Sequence, residues 1–171
     1  MRGYLQVYTG DGKGKTTAAI GLAVRAAGAG MRVYIAQFVK SGATSEITAL
    51  KRFADQIIVE HFGTGRFIRG RPTPADTQAA ERGLQRVRQI FQTGGFDVVI
   101  LEEANVAAAL GLFSDKSLLE LAASRPEHVE VVITGRNASE RIIAAADLVT
   151  EMRAVKHYYR QGVGARIGIE K

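Results

Sequence analysis

Residues 4–19, YLQVYTGDGKGKTTAA, limit what this chain can fold into more than any other stretch. Leu5, Val7 and the flanking tyrosines suit a buried strand, and a helical run follows over residues 17–29. Between them lie Gly10, Gly12 and Gly14, which allow backbone conformations that other residues resist. Lys15 and Thr16 follow at once. Strand, glycine-rich turn, Lys-Thr and helix in that order are a P-loop in its proper setting. Successive backbone N–H groups make an anion nest, and the helix N-terminus adds partial positive charge. Lys15 supplies a mobile full charge, and the Thr16 hydroxyl can join the shell of a Mg²⁺ ion. In the pattern G-x-x-x-x-G-K-[ST], Thr9 stands at the first glycine, and Gly14-Lys15-Thr16 fit the end.

The remaining chain supports one domain over residues 1–171, with 46% hydrophobic residues to fill its core. Strand-like runs at residues 31–38, 56–62, 96–101, 129–134 and 147–152 alternate with helical runs at 47–54, 75–93, 115–124 and 139–146. That alternation predicts an α/β fold of three layers, with a mostly parallel sheet between helices. No window is apolar for long enough to cross a bilayer. MRGYLQVY runs straight into the first strand with no signal segment, and cysteine is absent. A cytoplasmic protein is the expectation. The formal charge of +6 favours an anionic partner, but the basic residues are spread rather than blocked, so a nucleic-acid groove is not compelled.

Three places at predicted strand ends hold candidate chemistry. The apolar run FDVVIL ends in Glu102-Glu103, the Walker B arrangement in which an acid beside a P-loop holds Mg²⁺ directly or through water. Two acids favouring a helix N-terminus would look the same. Arg136 follows the strand VEVVIT and is either a phosphate contact or half of a surface salt bridge. Residues 63–74, GTGRFIRGRPTP, form the longest irregular stretch, either a functional loop or a solvated connector. His61, His128 and His157 have no metal-ligand spacing.

With these residues assembled, the chain resembles the P-loop type of corrinoid adenosyltransferase, the enzymes acting on cob(I)alamin or cob(I)yrinic acid a,c-diamide. The resemblance covers nearly the whole sequence. It is carried by residues 9–28, by VYIAQFVKSG at 33–42, DVVILEEAN at 97–105, VVITGRNA at 131–138 and the tail at 146–171. It implies a RecA-like P-loop fold and a reaction that transfers the 5′-deoxyadenosyl group of ATP to Co(I) of a reduced corrinoid, releasing triphosphate. A P-loop ATPase acting on nucleic acid or protein is the alternative, and it would release ADP. By motif match, Gly10, Gly12, Gly14, Lys15, Thr16 and Thr17 cradle the phosphates, with Thr9, Asp11 and Lys13 in the same loop. Thr16 and Glu103 match the positions that meet Mg²⁺ (or Mn²⁺), and Glu103 is expected to weigh more on the metal than Glu102. Lys15 and Glu103 are the expected catalytic pair. Gln37, Lys40 and Glu46 match positions near the nucleoside and corrin, and Arg136 matches the family's Thr-Gly-Arg. A homodimer and a transient flavoprotein reductase are also implied.

The chain departs from the family pattern in three places. Leu101-Glu102-Glu103 replaces Leu-Asp-Glu, so Glu102 reaches one methylene further than the usual aspartate. Thr64-Gly65-Arg66-Phe67-Ile68 replaces Thr-Gly-Phe-Thr-Trp, whose aromatics help displace the lower ligand of cobalt; only Phe67 remains aromatic. The segment that many members carry before the first strand has no counterpart, so the site is expected to be more open, or closed by a partner subunit.

Overall fold

The computed structural model describes residues 2–40, 44–66, 68 and 70–170. Phe67 and the part of the 33–42 motif beyond Lys40 therefore lie outside the described residues. Among the described residues, six strands form the sheet: β1 (Leu5–Thr9), β2 (Val33–Phe38), β3 (Ile57–Phe62), β4 (Val98–Glu102), β5 (Glu130–Thr134) and β6 (Leu148–Glu151). Their order is β3-β2-β4-β5-β1-β6, and every pairing is parallel. The helices are α1 (Lys15–Gly28), α2 (Ser45–Leu50), α3 (Pro74–Thr93), α4 (Ala104–Ala109), α5 (Asp115–Ala123) and α6 (Glu140–Ala145).

Period-two alternation sorts the strand residues between two cores. One face carries Val33, Ile35, Ile57, Val98, Ile100 and Val132, covered by the alanine stripe Ala19, Ala23, Ala26 and Ala27 of α1. The small side chains let the P-loop helix lie close to the sheet. The opposite face carries Val7, Tyr34, Phe38, Leu101 and Ile133 under α3, α4, α5 and α6. Helices on both faces of a parallel sheet give the three layers expected. The inner strands β2 and β4 are buried along their whole length, which explains their continuous apolar runs.

Several boundaries differ from the sequence reading. Strand β2 starts at Val33 because Arg32 turns its backbone to Asp97: its N–H donates to the Asp97 carboxylate at 2.8 Å. The helix expected over 47–54 starts earlier, at Ser45, and gives way to a 3-10 turn at Lys51–Phe53. Helix α4 was not anticipated, although ANVAAA is rich in the strongest helix former. Helix α3 begins on Pro74 behind a capping box in which Thr73 and Asp76 serve each other's backbone N–H. No helix among the described residues is long and apolar enough to cross a membrane.

Candidate active site

The C-terminal ends of β1, β4 and β5 bring the predicted phosphate, acid and arginine segments to one edge of the sheet, where open α/β sheets bind ligands. Helix α1 opens on Gly14, whose φ of 121° suits glycine, and no side chain caps its first turn. The turn before it is packed from outside by the chain leaving β6. Gly12 N–H donates to Met152 O at 2.6 Å, and Met152 N–H donates to Thr9 O at 2.8 Å. A Cβ on Gly12 would stand 2.6 Å from that Met152 oxygen, and one on Gly10 would stand 2.5 Å from it. Close backbone approach therefore requires glycine at both positions, and at Gly10 a φ of 93° requires it as well. Thr9 is buried, and its hydroxyl accepts from Ala138 N–H at 3.3 Å, which ties the loop after β5 to the P-loop.

The Lys15 ammonium lies over its own loop, donating to Gly10 O at 2.6 Å and Gly12 O at 2.7 Å. Burial holds it below the ordinary lysine range and the Arg136 cation adds to that, while Glu103, Asp11 and Glu102 act the other way. Two cations at the mouth of an anion nest suit a polyphosphate.

The structure separates the two acids. Glu102 ends β4 on the α1 face and is 2% exposed. One carboxylate oxygen accepts from the Thr16 hydroxyl, and the other accepts from the Thr134 hydroxyl at 2.6 Å. Burial pushes the Glu102 carboxyl up; the Thr134 and Thr16 bonds oppose this, and neighbouring Glu103 adds to it. Glu103 turns away. It sits in the left-handed region at φ 61°, donates its N–H to Thr134 Oγ1 at 2.9 Å, and pairs with Lys40 at 2.9 Å. Desolvation draws the Lys40 ammonium down, but Glu103, Glu102 and Glu46 outweigh it and hold it above its ordinary range.

Gln37 lies beside Glu102 in the β2–β4 register, is 3% exposed, and leaves its Oε1 without a hydrogen-bond partner. Val39, just beyond it, has φ 64°, and Lys40 N–H donates to Phe38 O at 2.6 Å. A β-branched residue in this γ-turn stores strain at the strand's end. Glu46 stands in the first turn of α2.

After β3, Thr64, Arg66 and Thr73 converge on one carboxylate. Asp76 is 2% exposed and accepts from the Thr64 hydroxyl at 2.6 Å, Thr73 N–H at 2.8 Å and Arg66 Nη2 at 2.5 Å. The Arg66 guanidinium, then Thr64 and Thr73, hold the Asp76 carboxyl well below the usual carboxylate range. Arg66 is thus engaged within the protein, and Ile68 packs against the core. Thr134 and Asp76 were not singled out from the sequence. The Thr73-x-x-Asp76 spacing was the available signal for one, whereas Thr134 depends on register with Glu102.

A family model described as "ATP:corrinoid adenosyltransferase BtuR/CobO/CobP" matches residues 1–170. A corrinoid adenosyltransferase of Pseudomonas aeruginosa is 36% identical over 170 residues, covering 99% of this chain and 84% of that protein. One from Escherichia coli is 35% identical over 170 residues, covering 99% and 86%. The corrinoid adenosyltransferase CobA of Salmonella typhimurium is likewise 35% identical, with the same coverage.

Proposed function

Given that the chain belongs to the ATP:corrinoid adenosyltransferase family and is a transferase, we propose the following division of labour among its residues. The chemistry is nucleophilic substitution at carbon. The Co(I) electron pair of the reduced corrinoid attacks C5′ of ATP, the C5′–O bond breaks, and its electrons leave on the triphosphate. Nothing here calls for a general base. The protein must hold the leaving triphosphate, align C5′ with cobalt and exclude water.

Residues 9–17 cradle the triphosphate through backbone N–H groups, with Lys15 and Arg136 neutralising the charge that develops on the leaving oxygens. The hydroxyl of Thr16 and the carboxylate of Glu102 offer adjacent hard oxygen donors, a set that fits Mg²⁺ (or Mn²⁺). When bound there, the ion supplies positive charge to the phosphate oxygens. Thr134 orients Glu102 from behind. Glu103, paired with Lys40, shapes the nucleoside side together with Gln37 and Glu46. We further infer a homodimer, a cytoplasmic setting and, because Co(I) must be generated, a transient flavoprotein reductase. The whole chain acts as one domain.

The observation that carries this reading is the Thr16–Glu102–Thr134 hydrogen-bond chain beneath a glycine-built anion nest. Its test is anaerobic. Protein, Mg·ATP and chemically reduced cobalamin are mixed, the visible spectrum is followed, and the phosphate product is identified. Loss of the Co(I) spectrum with a light-sensitive Co–C product and free triphosphate is expected. Release of ADP without spectral change would overturn the reading and favour a P-loop ATPase.

A further inference from the structure

A cavity of about 330 Å³ opens between edge strand β3 and helix α3, away from the P-loop. Phe62 and Ala79 give part of its lining, and polar side chains give the rest. Glu60 and His61 come from β3, and Arg82, Gln85, Arg86 and Gln89 come from α3. The helical spacing places those four side chains in one stripe over two turns. Among the described residues Glu60 is the one acid in the wall, and it is already engaged: Arg86 meets it through Nη2 at 2.9 Å and Nε at 3.1 Å. Arg82 is exposed and has no ion-pair partner among the described residues. The lining is therefore rich in donors and keeps one uncompensated guanidinium, which selects for an anion with acceptor oxygens.

Two features argue for a built site. The first is preorganisation. At one end Gly63 packs backbone to backbone on Val39, where a Cβ would stand 2.5 Å from the Val39 oxygen. The loop that continues from Gly63 is bonded through Thr64 and Arg66 to Asp76, one turn before the small floor residue Ala79. The second feature is the fully buried Tyr34, whose hydroxyl stands outside the lining itself but beside Glu60 and Arg86. If a ligand draws Arg86 into the cavity, that phenol can donate to Glu60, so the ion pair can open without orphaning the carboxylate.

We propose that this cavity is a carboxylate subsite, in which Arg82 holds the anion and the Gln85 and Gln89 amides complete the cradle. Two sources share that chemistry. One is a free small carboxylate. The other is a peripheral arm of the bound corrinoid, whose ring is fringed with acetate and propionate arms, free or amidated; this second source rests on the adenosyltransferase reading. An arm can reach it because Gly63, at one end of the cavity, lies at the same sheet edge as Gln37 and Glu102.

The test uses the full chain, ¹⁵N-labelled, titrated with sodium succinate at constant ionic strength. Saturable shifts are expected at the Gln85 and Gln89 side-chain amides and the Arg82 Nε–H. Arg82→Gln should weaken that binding about tenfold, the loss of one charge-assisted hydrogen bond. No shifts, shifts that sodium chloride reproduces, or unchanged affinity in both Arg82→Gln and Gln85→Ala would overturn the proposal. Turnover then separates the sources. A KM raised about tenfold in Arg82→Gln for a corrinoid with free carboxylate arms, but not for its fully amidated counterpart or for ATP, identifies the arm. Unchanged KM values alongside lost succinate binding identify a free carboxylate. If the wild type forms neither adenosylated corrinoid nor triphosphate, the adenosyltransferase reading falls, while the succinate titration still decides the cavity.

Discussion

Lys15 and Arg136 are like charges held within influence of each other, and burial already disfavours the ammonium. Such an arrangement favours anionic charge nearby, which Glu102, Glu103 and Asp11 partly supply and a triphosphate would add to. Lys15→Ala should therefore lower kcat/KM for ATP by at least about a hundredfold, the usual scale for losing one charge that stabilises the transition state. Triphosphate release measures this, and near wild-type turnover would remove Lys15 from the site. The acids are distinguished by their partners. Glu102→Gln keeps the shape but loses the charge facing Thr16, so the Mg²⁺ concentration for half-maximal rate should rise about tenfold. Glu103→Gln loses the Lys40 pairing and a charge felt by Lys15, but no contact with Thr16, and should move it less than threefold. Activity against Mg²⁺ concentration decides between them, and reversed effects would return the metal to Glu103. The sequence made the pair visible as Walker B acids but could not divide them. The division depends on which acid ends β4 facing α1 and which turns through the left-handed region, and it was the resemblance that favoured Glu103.

At the scale of elements, glycine has opposite consequences in two helices. Gly83 in α3 lies under Phe38 and Phe62, where a Cβ would stand 2.6 Å from the Phe38 ring. Gly83→Ala should cost about 1–3 kcal/mol through overpacking. Gly21 in α1 is exposed with nothing within 4 Å of its Cβ position. Gly21→Ala should stabilise by about 0.5–1 kcal/mol, because alanine loses less conformational freedom in a helix. Chemical denaturation reads both. Asp76 ties α3 to the loop after β3, and its pH signature follows from its partners. Its folded pKa lies below the unfolded value, so the stabilisation is fully present above the ordinary carboxylate range and fades as pH falls through the folded value. Asp76→Asn should melt below the wild type at pH 7, and the gap should narrow progressively as pH falls below the ordinary carboxylate range. A gap that is constant with pH would mean that Asp76 acts through shape alone. The strands were legible because their apolar runs carry no competing period. The loop was not, because Arg66, which reads as a surface cation, is consumed by a carboxylate ten residues further on.

Across the whole molecule, the chain returns to its beginning. Strand β6 pairs outside β1, and the segment that follows closes on the P-loop through Met152. Further on, Lys13 meets the Ile169 oxygen and pairs with Glu170 at 3.4 Å. Glu170 in turn takes the Tyr158 hydroxyl and Arg166, so a small polar cluster stands beside the glycine-rich turn. Most of this tail is exposed: Val155 is 96% and Ile167 82% accessible. It therefore adds little to either core, yet it touches the loop proposed above to hold the triphosphate. Those two facts separate stability from function. Deleting residues 157–171 should leave the melting temperature within about 3 °C, since little apolar area is lost from the interior. The same deletion should raise KM for ATP about two- to fivefold, the scale of the exposed ion pairs removed from Lys13. Glu170→Ala should reproduce part of that rise. An unchanged KM in both variants would make the tail a trailing end, whereas a large fall in melting temperature would show that it packs as part of the domain.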